Sequence, residues 1–270
     1  SNPVLQRETM RPELVTDEGL SSSIGHHGAY IWETKRVFET YIETEDYSAV
    51  KEAVLRDNLL RKSSDKYRQS IISEIARRYY LNKQSYTETP LLRVFNRPVG
   101  ESIREWILYY EFSQEPLVTL LTVEFLYPNF HSGVLTLKKE DVVECIEDIE
   151  SDFSSVSSWS ENTQARVAEH YLAAMKNFGL LEGDAEKEFK YVYPPDELIL
   201  YVLYSLFEQD VTTADAVVEH PDWKLLLLTP EDVRERLQGV SPSHVQYEKR
   251  GSVERLEPKY ESLMGCIDEF

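Results

Sequence analysis

Lys62, Lys66, Gln69, Ser73 and Arg77 follow one another at intervals of four, three, four and four residues. On an α-helix such intervals return to one face at each turn. Lys and Arg separated by short hydrogen-bonding side chains can then track a row of phosphates. Tyr67, Ile71, Ile72, Ile75 and Tyr79 fall on the opposite side and are the expected buried face. Arg68 projects among these apolar positions, so an internal partner is expected for it. From Arg61 to Arg78 there are six basic and two acidic residues, a local excess of four positive charges.

A second set lies between Ser160 and Tyr193. Val167, Tyr171, Ala174, Met175 and Phe178 form an apolar stripe, and Asn162, Arg166, His170, Ala173 and Asn177 lie opposite. The helix is expected to end at Gly179 and to lead into a hairpin carrying Lys187 and Lys190. That is the layout of a winged helix, in which Asn162 and Arg166 would reach base edges and Lys190 the backbone. A third set is Lys249 and Arg250, at the tip of a β-hairpin formed by the alternating segments Val245–Glu248 and Val253–Leu256.

Catalytic chemistry has no comparable signature. There is no Gly-rich phosphate loop, no His-x-x-x-His zinc pair and no Gly-x-Ser-x-Gly elbow. Cys145 and Cys266 are too few and too far apart for a disulfide framework or a Cys-rich metal site. Neighbouring His26 and His27 sit between glycines and read as solvated. Glu140, Glu144, Glu147 and Asp148 share a helix face, but Val142, Val143, Ile146 and Ile149 make that helix amphipathic, so its carboxylates read as a solvated face. No enzyme activity, cofactor, metal or small-molecule substrate is expected.

The elements that must carry these residues are mostly helices. The chain has 270 residues, of which 41% are hydrophobic and 29% charged, an ordinary globular balance. Its longest near-apolar run, Ile199 to Phe207, is short of the ~20 residues that cross a membrane. No charged-then-apolar leader opens the sequence, and a cytoplasmic location is expected. Helical periodicity starts at Tyr30. Helices are expected at about 63–81, 88–96, 99–113, 115–127, 138–152, 160–178, 196–208, 212–219 and 230–238, and a strand at 188–193. Three regions follow: a flexible arm (1–29), a helical domain (30–153), and, beyond a polar seam at Ser154–Ser158, a winged-helix-like domain with its extension (159–270). The fold class is mainly α, with small β-hairpins confined to the second half.

Net charge cuts across the nucleic-acid reading. Twenty-nine Lys and Arg against 48 Asp and Glu leave −19, a surface that repels nucleic acid except where positive charge is concentrated.

Two stretches resemble a known family. Leu55-Arg56-Asp57-Asn58-Leu59-Leu60-Arg61-Lys62-Ser63-Ser64, continuing through Ile71, Ile75 and Arg77-Arg78-Tyr79, is similar to the N-terminal signature of BrxA, a component of BREX phage-exclusion systems. Trp159-Ser160-Glu161-Asn162-Thr163 through Met175-Lys176-Asn177-Phe178-Gly179-Leu180-Leu181 resembles its second signature. The resemblance covers roughly residues 30 to 210. It implies a helical, NusB-like bundle, a role in a phage-defence complex with other BREX proteins as partners, and double-stranded DNA binding. The chain departs from the family pattern in its extension past about 210 and in its acidity.

The expectation is a non-enzymatic phage-defence component that binds double-stranded DNA. Lys62, Lys66 and Arg77 would neutralise phosphates, while Gln69 and Ser73 bond phosphate or sugar oxygens. The alternative is an acidic adaptor that docks a basic protein of the same complex. A DNA mimic is disfavoured by the mixed charges on the 63–81 helix.

Overall fold

A computed structural model of the chain describes Val15 and residues 19–270. Order along the chain follows from caps and prolines. Helix α1 (Ile31–Thr44) leads to α2 (Tyr47–Leu55), whose first turn is capped by Asp46 accepting from the Ser48 N–H. Helix α3 (Asp65–Tyr79) starts where the Ser64 hydroxyl accepts from the Tyr67 N–H at 3.2 Å. Pro90 opens α4 (Pro90–Phe95), and α5 (Glu101–Phe112) follows. Pro116 opens α6 (Pro116–Leu121), which passes through a π turn (Thr122–Leu126) into α7 (Tyr127–His131). Next come β1 (Thr136–Leu137), α8 (Lys139–Ile149), α9 (Ser154–Ser157), α10 (Glu161–Asn177), β2 (Leu181–Gly183) and β3 (Lys187–Phe189). The remainder is α11 (Asp196–Glu208), α12 (Ala214–Val218), α13 (Asp222–Leu225), α14 (Pro230–Gly239), β4 (Val245–Arg250), β5 (Val253–Pro258) and α15 (Leu263–Ile267). The fold is mainly helical with a few small antiparallel strand pairs, the expected class.

These elements cluster into two compact units that alternate along the chain. The first comprises residues 112–193 and 221–229 with the described part of 1–29; the second comprises 30–111, 194–220 and 230–270. The polar stretch read as a seam contains α9 and lies within the first unit. Of the expected flexible arm, residues 1–14 and 16–18 lie outside the described residues. The rest is not an arm: Leu20, Ile24 and Ala29 are buried, and a 3₁₀ turn at Ser23–Gly25 packs on α10. His26 is exposed and His27 half-buried.

In the first unit α10 is the central helix. Val167, Tyr171, Ala174, Met175 and Phe178 are all buried, as their spacing predicts, and Val142, Ile146 and Ile149 of α8 pack in the same core. The Tyr171 hydroxyl, which has no water to turn to, shares a hydrogen bond of 2.8 Å with Thr122. Gly179 ends α10 at φ +86°, with the Gly179 N–H donating to the Lys176 carbonyl and the Leu180 N–H to that of Met175. That paired pattern is a Schellman motif, and it turns the chain directly into β2. The sheet order is β1-β3-β2, all antiparallel, with Thr136 opposite Glu188 and Leu181 opposite Phe189. Gly183 is obligatory: at φ +101°, a Cβ would stand 2.3 Å from the Glu186 carbonyl oxygen.

Two expectations need correction here. The helix expected at 115–127 does not stop before Pro128 but continues through it to His131. The ring removes a donor from the ladder, and the preceding π turn accommodates this, with the Tyr127 N–H reaching the Thr122 carbonyl and the Asn129 side chain the Phe125 carbonyl. The strand expected at 188–193 stops at Phe189, because its partners β1 and β2 are only two and three residues long.

In the second unit Phe38 of α1 meets Tyr79 and Phe95 edge-on, at ring distances of 5.7 and 5.0 Å. Val50, Val54, Ile71, Ile72 and Ile75 complete that core. The apolar run on α11 is buried, and its Tyr201 hydroxyl donates to Glu111 at 2.6 Å. Apart from residues 221–229, which belong to the first unit, the extension past 210 folds into this unit. Helix α15 packs on α11 and α4, Arg93 binds Asp268 with two hydrogen bonds, and Arg97 donates to the Phe270 carbonyl.

The β4–β5 hairpin is fastened to α14 by one buried carboxylate. Glu254, whose side chain is 7% exposed, accepts from Arg234 at 3.0 Å and from the Tyr247 hydroxyl at 2.7 Å. Burial alone would raise the Glu254 carboxyl, but the hydrogen bonds from Tyr247 and Arg234 and the guanidinium charge outweigh it and hold it below its usual value. A carboxyl depressed on folding stabilises the protein above its unfolded pKa, and that contribution fades as pH falls through the folded value. Glu254→Gln is therefore expected to lower the unfolding midpoint at pH 7, with the deficit shrinking toward pH 3 in urea melts. A deficit of constant size across that range would show that the carboxylate charge is not what fastens the hairpin.

Candidate nucleic-acid interface

Helix α3 begins at Asp65, so the five-residue stripe loses its first member. Lys62 lies in the preceding loop, where its ammonium binds Glu33 at 2.8 Å with side-chain exposures of 22% and 14%. Its N–H also donates to the Asn58 side chain at 2.7 Å. A lysine so committed is a structural cation and not a phosphate contact. The remaining four, Lys66, Gln69, Ser73 and Arg77, share the exposed face of α3.

Within that face the residues differ. Lys66 has no carboxylate partner among the described residues. Gln69 donates to the Ser73 hydroxyl at 2.8 Å, so each turns partly toward the other. Arg77 is half-exposed and held by Glu74, its Nη2 at 2.7 Å and its Nε at 3.2 Å. Glu74 is 6% exposed and also accepts from Arg78 at 3.1 Å. A buried carboxylate needs such donors, and Arg77 therefore carries a structural duty alongside any ligand contact. Arg68 has the internal partners expected of it, the carbonyls of Lys62 and Leu55 and the carboxylate of Asp65.

Tyr67 departs from the expected buried face. It is 44% exposed, because one turn from the N-terminus of α3 there is no helix left to cover it, and the Lys62 ammonium lies 5.8 Å from its ring centroid. Trp32 is also 44% exposed, with the Arg61 guanidinium 5.9 Å from its ring. Tyr30 carries the Arg78 guanidinium over its ring at 5.6 Å. Its phenol is pushed up to about 12, by burial first and by neighbouring Tyr67 and the Glu33 and Glu74 carboxylates, against the pull of Arg78. Reading the sequence by helix faces does not find Trp32 and Arg61, because their meeting depends on a loop residue.

At the hairpin tip of the second unit, Lys249 and Arg250 are exposed. Lys249 stands opposite Glu254 in register, and Arg250 approaches Glu248 only to 3.9 Å.

In the first unit the outward face of α10 presents Asn162, Arg166, Ala173 and Asn177, all exposed. Arg166 has no carboxylate partner among the described residues. His170 is not part of this face in the way expected: it is half-buried, with its Nδ1 enclosed. The β2–β3 hairpin is the larger correction. Lys187 folds back on the hairpin's own turn and donates to the Asp184 carbonyl, Lys176 binds Asp184 at 3.1 Å, and Lys138 binds Glu186 at 3.0 Å. Glu182, Asp184, Glu186 and Glu188 are exposed, so the hairpin is an acidic projection with Lys190 at its base. Such a surface repels phosphate.

A cavity of ≈ 290 Å³ opens beside the π turn, lined by Glu124, Asp141, Glu144, Cys145 and Asp148. Among the described residues no group of three or more His, Cys, Asp or Glu is placed to hold a metal ion. Cys266 is buried, which pushes its thiol up to about 12. Among the described residues no helix is long and apolar enough to cross a membrane.

The two roles of the basic residues separate experimentally. Lys62→Ala leaves the Glu33 carboxylate half-buried and unpaired, and is expected to cost about 1 kcal/mol of stability. Lys66→Ala should leave the urea midpoint unchanged, and equal losses in both variants would place Lys66 in the fold's support as well.

No curated protein matches the chain significantly. The BrxA family model matches residues 20–203, which span α1 to α10, the β1-β3-β2 sheet and most of α11. Membership of that family supports a role associated with BREX phage exclusion. On a match covering well over half of its length, the chain belongs to the BrxA family.

Proposed function

We propose that this chain is a non-enzymatic component of a BREX system that contacts double-stranded DNA through local positive surfaces. The observation that carries the reading is Arg166, exposed and without a carboxylate partner among the described residues, on the outward face of α10, one turn after exposed Asn162. Their setting supports it. A helix, β1, three further helices (the second of them, α9, a single turn) and the β2–β3 hairpin, with sheet order β1-β3-β2, follow the order of a winged helix with one short helix added, and in that fold the last helix enters the major groove. An Arg there can bind guanine O6 and N7 together, and an Asn can pair similarly with adenine. In the second unit Lys66, Lys249 and Arg250 are exposed cations, each able to meet a phosphate independently of α10. Because the β2–β3 hairpin is acidic, binding is carried by α10 without the usual backbone grip of a wing, and affinity is modest.

Fluorescence anisotropy with a labelled duplex of about 20 base pairs tests this. Binding is expected to weaken steeply with salt, with a slope of about −0.9 per phosphate neutralised. Arg166→Glu should abolish it, and Lys66→Ala should flatten the slope by about one phosphate. Absence of binding at low salt by a folded protein would overturn the reading.

One observation favours a second reading, that of an adaptor for a basic protein partner. The exposed carboxylates of the β2–β3 hairpin are accompanied by Tyr191, two positions after β3, and by Leu135, next to Thr136, which pairs with Glu188; the two are 92% and 83% exposed. Apolar contact rimmed by charge is how proteins dock. In this case pull-down of purified BREX proteins persists after nuclease treatment, and Glu182→Lys with Glu188→Lys abolishes it. Pull-down unaffected by those reversals would remove the hairpin from the docking surface.

A further inference from the structure

We infer that the surface built by Trp32, Arg61, Lys66 and Tyr67 binds an unpaired nucleotide of a single DNA strand by stacking. Two aromatic residues in the second unit are 44% exposed, and each has a cation within 6 Å of its ring, Arg61 at Trp32 and Lys62 at Tyr67. The two pairs are tied together by an ion pair, in which Glu33, next to Trp32, binds Lys62, next to Arg61. Arg61 and Lys66 have no carboxylate partner among the described residues, in a chain whose carboxylates outnumber its cations. A surface of half-exposed rings, each with a cation at one face, and of cations without carboxylate partners matches the bases and phosphates of a single strand.

The site is held in shape before any ligand arrives. Arg61 sits in the left-handed region at φ +54° and Asn58 at φ +52°. The Arg61 N–H donates to the Asn58 carbonyl at 2.9 Å, and Leu60 between them is fully buried. A non-glycine residue in that region is strained, and what the loop gains here is a guanidinium laid over Trp32. Lys62 is fixed by Glu33 on one side and lies over Tyr67 on the other.

A duplex cannot use these rings, because its bases are stacked and expose only their edges and sugar–phosphate backbone. An extruded or single-stranded base offers a π-face, and stacking on an aromatic side chain is sequence-tolerant. A protein partner would have to bring carboxylates to Arg61 and Lys66, and Glu33, Asp57 and Asp65 already lie in this region. A phosphodiester strand brings negative charge at every residue. The inference extends the nucleic-acid reading but involves a different surface from α10, so either can fail alone.

The test compares labelled dT20 with the 20-base-pair duplex by anisotropy at low salt. Wild-type protein should bind dT20, and Trp32→Ala should weaken that binding about five-fold or more while leaving duplex affinity unchanged. Arg61→Gly removes the guanidinium and relieves the left-handed backbone, so a similar loss with an unchanged or raised melting temperature would exclude misfolding. Arg166→Glu should spare dT20. No binding of dT20, or equal loss on both ligands in Trp32→Ala, would overturn the proposal. So would sedimentation showing a dimer that Trp32→Ala dissolves in a protein indifferent to dT20, which would make the patch a contact between copies.

Discussion

Positive charge is the scarce material of this protein, and its allocation governs both fold and surface. With 19 more carboxylates than cations, any carboxylate drawn below the surface must secure its partner first, since an unpaired buried charge costs several kcal/mol. Glu74 takes Arg77 and Arg78, Glu33 takes Lys62, and Glu254 takes Arg234. Lys35 is shared between Glu101 and Glu105, and Arg234 extends to Glu219 and Glu231 as well. What is left over is thinly distributed. The excess acid is carried outward, most visibly on the β2–β3 hairpin, and an uncommitted cation becomes an informative feature.

The same allocation explains what could be read from the residues alone. The stripe on α10 was legible because burial of a helix face depends on spacing, and all five apolar positions lie where the period puts them. Gly179 was legible because a left-handed C′ residue has few alternatives to glycine. Lys62 was not. Its distance from Lys66 fits a helix, but Ser64 caps α3 two residues later and Glu33, 29 positions away, claims the ammonium. Lys187 failed as a hairpin contact for a similar reason, being captured by the turn it was expected to decorate.

Helix ends account for the remaining differences. Tyr67 follows the period of the buried face, yet sits too near the start of α3 for a neighbour to cover it. Pro128 is a sound stop signal in an ideal helix, but a single π turn changes the register of donors and lets the helix proceed. Short strands such as β1 leave almost no alternation to detect. Helix faces are therefore readable over their middle turns, and their ends are where tertiary structure decides.

The alternation of the two units along the chain has a consequence for biosynthesis. The polypeptide crosses between them five times, and the second unit gains its last piece, α15, only with residues 263–267. Helix α11, which α15 covers, leaves the ribosome about sixty residues earlier, so at roughly 5–20 residues per second its apolar side waits several seconds for closure. Neither unit can be completed by a nascent chain that is still much shorter than full length. A chain that stops short of residue 229 completes neither unit, and one that stops before α15 leaves the apolar side of α11 uncovered.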